Sequence, residues 1–159
     1  MREAQGARGV FLALWVAACV AKLLVAAQLP LFVDEAFYWQ EGRHLAPAYS
    51  DLPGMTAWLA RLGTAIGGEH VLALRMPFLL LGALVPWWVK RIGARWFGEL
   101  AGWHAGSLAV LMPLSGTLGV MALPDVPLAV ATVLCLHAAT HLLRQVSALM
   151  VLELGIGLA

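Results

Sequence analysis

Charge is what this sequence has least of. Of its 159 residues only 12% are Asp, Glu, Lys or Arg, against 62% hydrophobic and a mean hydropathy of +0.84. Soluble domains carry about 25% charged residues, so a chain this poor in charge reads as an integral membrane protein. The net charge is +1, which argues against a nucleic-acid partner, because such binding depends on clustered Lys and Arg that displace counterions. Cysteine is also scarce. Cys19 and Cys135 lie inside apolar runs with no CxxC and no Cys/His neighbour at metal-ligand spacing, so they read as small hydrophobes. The chain has no internal repeat, low-complexity tract or glycine-rich phosphate loop.

What is present is a succession of apolar runs. Arg2 and Arg8 precede a run over residues 10–29, about the 20 residues needed to cross some 30 Å of hydrocarbon. A cleavable signal peptide has an apolar core of only about 7–15 residues and a small-residue cleavage site, so this run reads as an anchored span. Lys22 within it either snorkels towards the interface or faces a polar cavity. Further runs cover residues 71–89, 100–123 and 126–143, and the middle one, interrupted by Pro113 and Ser115-Gly116-Thr117, is expected to kink. Lys90, Arg91 and Arg95 follow the second run, and the positive-inside rule assigns that basic loop to the cytoplasm. The N-terminus is then cytoplasmic, and Asp34, Glu35, Glu41, Asp51 and Glu69 lie on the outer side. Residues 148–159 are too few to span; they read as the start of a fifth span, and the chain as part of a larger protein. The expected fold is all-α: a polytopic membrane bundle of about four spans plus a partial fifth.

One polar stretch, the outer loop over residues 30–70, breaks this pattern. Pro30 ends the first span, and Asp34 is placed to cap a short helix through Glu35, Phe37, Trp39 and Leu45. The adjacent rings of Phe37, Tyr38 and Trp39 suit a helix lying in the headgroup layer. After the turn at Asp51-Leu52-Pro53-Gly54, Met55, Leu59, Leu62 and Ile66 share one face of a second helix, interfacial or packed on the bundle. Leu123-Pro124-Asp125-Val126-Pro127 should emerge near Asp34, with Asp125 capping the fourth run. His137 and His141 share a face at i, i+4, but with no acid nearby in the sequence they read as interfacial polar residues; a structural zinc needs four ligands.

Four stretches, taken together and in this order, resemble a known family. They are Asp34-Glu35-Ala36-Phe37-Tyr38-Trp39, then Tyr49-Ser50-Asp51-Leu52-Pro53 with Ala57-Trp58-Leu59, then Leu74-Arg75-Met76-Pro77, and finally Leu123-Pro124-Asp125-Val126-Pro127-Leu128. The chain resembles the N-terminal portion of the polytopic type C glycosyltransferases that take sugar from a polyprenyl-phosphate carrier. That group includes the dolichyl-phosphate-mannose protein mannosyltransferases and the bacterial lipid A aminoarabinose transferases. The chain departs from the family where Leu52-Pro53-Gly54 replaces the usual His or Lys followed by two prolines.

The resemblance implies that residues 1–159 belong to one transmembrane glycosyltransferase domain in an inner membrane. Its donor is a polyprenyl-phosphate-linked sugar and its acceptor a lipid or a protein. Asp34 is implied as general base, Glu35 as the acid that orients the loop or the acceptor, and Asp125 as a second acid of the catalytic centre. Arg75, at the outer end of its span, either pairs with the carrier phosphate through its planar fork of donors or snorkels to lipid phosphate, and the substrate-binding reading takes the first. Tyr38, Trp39 and Asp51 complete the implied substrate-binding set. In some members the position of Asp51 helps to hold a divalent metal with residues further along, which are absent here, so no metal is assigned to these residues and a divalent metal is left open for the full-length protein.

Two other classes compete. In a small transporter, Lys22, Asp34, Arg75 and Asp125 would line a polar path, yet three of the four fall at span ends, which favours an interfacial enzyme. A structural subunit whose outer loop binds a partner is the third.

Overall fold

The computed structural model describes residues 2–49, 54–117, 119–143 and 146–158. Among them are eight helices: α1 Arg2–Gln28, α2 Val33–Gly42, α3 Met55–Gly67, α4 Val71–Phe97, α5 Glu99–Leu111, α6 Pro113–Thr117, α7 Asp125–Leu142 and α8 Ala148–Leu158. Three of them, α1, α4 and α7, are long and apolar enough to cross a membrane. At 1.5 Å per residue, the 27 residues of α4 extend about 40 Å, which exceeds the hydrocarbon thickness. Large apolar side chains such as Val16, Leu24, Leu80, Leu108, Leu128 and Leu152 cover the outside of the bundle. That surface matches lipid rather than water.

The expected third span over residues 100–123 is not one helix. Helix α5 stops at Leu111, Met112 is extended with φ −63° and ψ 138°, and α6 starts afresh at Pro113. Proline excludes the residue before it from helical geometry, so the run breaks where only a kink was expected. With 13 residues α5 falls short of crossing by itself. The expected caps are corrected too. Phe32 and Pro124 occupy the N-cap positions, and Asp34 and Asp125 lie inside the first turns of α2 and α7. There they still complement the positive end of the helix dipole.

Helix α1 runs antiparallel to α4. At one end Phe11 packs edge-on to Trp87 at 4.9 Å, and at the other the carbonyls of Ala26 and Leu29 receive Arg75. Gly98, with φ +90°, reverses the chain so that α5 folds back along α4. The two approach closely through Gly102, where a Cβ would lie 2.6 Å from that of Ala94, the small-residue contact common between membrane helices. Helix α7 runs parallel to α4, and α8 returns along α7, with Gly157 against Cys135.

The buried core sits at the α2 end of the bundle. Ala60, Leu74, Phe78, Ala122 and Val126 are buried together there, with Trp39 and Leu59 packed against them. Helix α3 turns its small side inward: Thr56, Ala57, Ala60, Gly63 and Thr64 are buried, while Met55, Leu62 and Ile66 are exposed. Of the predicted apolar stripe only Leu59 reaches the core. Pro77, having no N–H, leaves the carbonyl of Ala73 without its usual helical donor. Gly63 lies against that oxygen, where any Cβ would overlap it.

Candidate functional site

The site is assembled around a carboxylate that no solvent reaches. Glu35 is the third residue of α2. Its Oε2 accepts the amide of Phe32 at 3.0 Å, the glutamate half of a capping box. Its Oε1 accepts the amide of Ala122 at 2.8 Å, across 87 residues of chain. Arg75 meets the same carboxylate with both edges of its fork, Nε to Oε1 at 2.8 Å and Nη2 to Oε2 at 2.5 Å, and both side chains are 0% exposed.

The rest of the guanidinium closes the end of α1. Nη1 donates to the carbonyls of Ala26 and Leu29 at 2.7 and 2.8 Å, and Nη2 to that of Pro30 at 2.8 Å. Helix C-termini leave their last carbonyls unpaired, and Pro30, with no N–H, cannot serve that of Ala26. A cation there also complements the negative end of the dipole. Arginine has five N–H donors, and the five bonds named here use them all.

Burial pushes the Glu35 carboxyl towards a higher pKa. Hydrogen bonds from Arg75, Ala122 and Phe32, with the charge of Arg75, outweigh it and hold the group below its ordinary 4.5. Glu35 is therefore a carboxylate at neutral pH, tying together the end of α1, the start of α2, α4 and the turn before α7.

Asp34 and Asp125 stand outside this clasp. Asp34 precedes Glu35 and is exposed; Asp125 follows Ala122 by three residues and is exposed as well. The Glu35–Ala122 bond thus anchors both acid-bearing turns to one carboxylate. Gly119, with φ +87°, lets the chain entering the second turn lie against the carbonyl of Phe78.

Tyr38, one turn after Glu35, is only 8% exposed, and Trp39 is half-buried with the Arg43 guanidinium 5.9 Å above its ring. Arg75 has no donor left to offer a carrier phosphate, which changes the role expected for it. Asp51 lies outside the described residues. Among the described residues no three or more His, Cys, Asp or Glu side chains converge as a metal site would require. Lys22 borders a largely apolar cavity of about 390 Å³ between α1 and α4, together with Trp15, Cys19 and Met76.

Sequence reasoning singled out Glu35 and Arg75 separately and missed that they face each other. The available signal was that a buried cation needs a partner. It also missed the acid beside His137: Glu153 of α8 reaches Nδ1 at 2.8 Å, and Trp88 Nε1 donates to the same oxygen at 3.3 Å.

The model of the dolichyl-phosphate-mannose-protein mannosyltransferase family matches residues 51–159, a stretch that contains Arg75 and Asp125 and begins after α2. Lipid A galacturonosyltransferase RgtD of Rhizobium johnstonii is 30% identical over 134 residues, which cover 80% of this chain and 28% of that protein. The chain thus spans under a third of this relative's length. No solved structure matches the chain. With the family model matching well over half of its residues, the chain belongs to the dolichyl-phosphate-mannose-protein mannosyltransferase family.

Proposed function

We propose that this chain forms part of a membrane glycosyltransferase that moves a sugar from a polyprenyl-phosphate carrier to a lipid or protein acceptor on the outer face of the inner membrane. The observation that carries this reading is the Glu35–Ala122 hydrogen bond, which ties the turns bearing Asp34 and Asp125 to one buried carboxylate. Family membership supports the reaction class.

Asp34 acts as general base. It takes the proton of the acceptor hydroxyl as that oxygen bonds to the anomeric carbon, and the carbon–oxygen bond to the carrier phosphate breaks with inversion. The phosphate departs with the bonding electron pair. Asp125 is the second acid, binding the sugar. Glu35 and Arg75 are positioning residues that fix where both acids stand, and stabilisation of the leaving phosphate falls to other cations. Trp39 and Tyr38, on the same helix as Asp34, bind the sugar. The basic end of α4 faces the cytoplasm, with the N-terminus.

The test is release of free polyprenyl phosphate from a polyprenyl-phosphate sugar by the full-length protein. Asp34→Asn should lower that release about 10²-fold or more, the usual contribution of a general base. An undiminished rate would remove Asp34 from the chemistry. Solute movement without any release of carrier would favour the transporter reading instead.

A further inference from the structure

The end of α4 remote from Arg75 carries a second polar cavity, of about 610 Å³, lined by Lys90, Arg91, Arg95, Glu99, His137 and His141. Fifteen residues separate Arg75 from Lys90, or about 22 Å along the helix, so this cavity is distinct from the Glu35 clasp. Three permanent cations and one carboxylate, Glu99, line it directly, and a second carboxylate, Glu153, stands behind His137.

The cations are held in place by aromatic faces and backbone, and much of their hydrogen-bonding capacity remains open. Lys90 Nζ lies 4.2 Å above the Trp103 ring and bonds Glu99 at 2.8 Å, with the Glu99 side chain 65% exposed. The Arg91 guanidinium lies 5.4 Å from the Trp88 ring and bonds no described residue. Arg95 donates Nε to the Thr140 carbonyl at 3.2 Å, and its terminal nitrogens bond no described residue. On the opposite wall Glu153 fixes His137, whose ring lies 4.7 Å from that of His141.

Two guanidinium forks with open donors, an ammonium and an imidazole around one cavity form a phosphate-binding constellation. The surroundings distinguish a lipid phosphate from a free one. Met150 lines the cavity, and the chain neighbours Phe97, Leu143 and Leu149 are 81%, 76% and 68% exposed. A phosphate held here would bring any apolar body attached to it against Met150 and onto the apolar outer surface of these helices. Basic pockets at the ends of membrane helices bind anionic headgroups on this principle.

We propose that the cavity between α4, α7 and α8 binds the phosphate of an anionic glycerophospholipid of the adjoining leaflet. The site is independent of the glycosyl-transfer reading and stands or falls without it.

The experiment uses the full-length protein reconstituted in phosphatidylcholine vesicles with and without phosphatidylglycerol, and native mass spectrometry to count retained lipids. Phosphatidylglycerol should be retained in preference to phosphatidylcholine, and Arg91→Gln with Arg95→Gln should weaken retention about tenfold or more. The double Arg→Lys variant should keep much of it, and Arg43→Gln, at the other end of the bundle, should change nothing. Equal retention of both lipids by the wild-type protein overturns the proposal whatever the variants do. Unchanged retention in the folded double Arg→Gln variant overturns the assigned site. Complete displacement of the lipid by millimolar inorganic phosphate overturns the lipid assignment in favour of a soluble anion.

Discussion

Glu35 and Arg75 meet 40 residues apart in sequence as a two-pronged ion pair with no exposed surface on either side chain. A buried pair gains little over an apolar one of the same shape, but removing one member strands a charge in the interior. Arg75→Met should therefore destabilise the full-length protein by about 3–5 kcal/mol. Arg75→Lys should recover only part of that, because an ammonium cannot reach five acceptors from one position. Chemical unfolding in detergent measures both; a loss under about 1 kcal/mol for Arg75→Met would mean that the pair carries little of the fold.

The pair also sets an acid limit. Because the folded value of Glu35 lies below its ordinary 4.5, its stabilisation is complete above 4.5 and is lost as pH falls through the lowered value. The unfolding midpoint of the wild-type protein should be level near neutrality and drop below about pH 4.5. Glu35→Gln should start lower and lack this component of the drop. Parallel wild-type and variant curves would show that another carboxylate governs the acid limb.

The two exposed acids should behave in the opposite way. Asp34→Asn and Asp125→Asn touch no buried contact, so each should leave stability within about 0.5 kcal/mol. Carrier release should nevertheless fall in both. If either variant lost activity only in proportion to its folded fraction, its role would be structural.

At the basic end, His137→Leu should cost about 1–3 kcal/mol by leaving Glu153 with Trp88 as its remaining partner. The double variant His137→Leu, Glu153→Leu should regain most of the loss, because an apolar pair replaces the polar one. Additive losses in the double-mutant cycle would show that the two residues are not coupled.

Gly63→Val should push α3 off α4, since the added side chain meets the Ala73 carbonyl and Pro77 directly. A loss of about 1–3 kcal/mol or more is expected. Proteolysis between α2 and α3 would report it, and an unchanged cleavage rate would show that α3 tolerates the shift.

Much of this was legible in the sequence because lipid imposes a simple rule: long apolar runs become helices. The run at 71–89 lies within α4, that at 126–143 matches α7 to within one residue, and the pair of short helices in the outer loop is present. The break at Met112 was harder to read, because Pro113 permits either a kink or a stop and packing decides between them. The caps failed for a different reason. Asp is a favoured N-cap type, but Glu35 already satisfies the Phe32 amide, which frees Asp34 to sit inside the turn. Burial of Glu35 and Arg75 could not be read at all from residue types, since both usually lie at surfaces. Their meeting depends on α1 ending at Gln28, just before Pro30, three elements before Arg75 is reached.

Helix α3 bears on α4 through Gly63 and carries Met55, Leu62 and Ile66 on its free side. An amphipathic face of this kind floats about 5–10 Å deep in the headgroup boundary. Because α3 is also joined to α2 where Gly42 lies against the Ala57 carbonyl, α4, α3 and α2 form one stack with the acid-bearing turn at its end. A displacement of α3 therefore reaches Asp34 through the α3–α2 contact, with no loop in that path to absorb it.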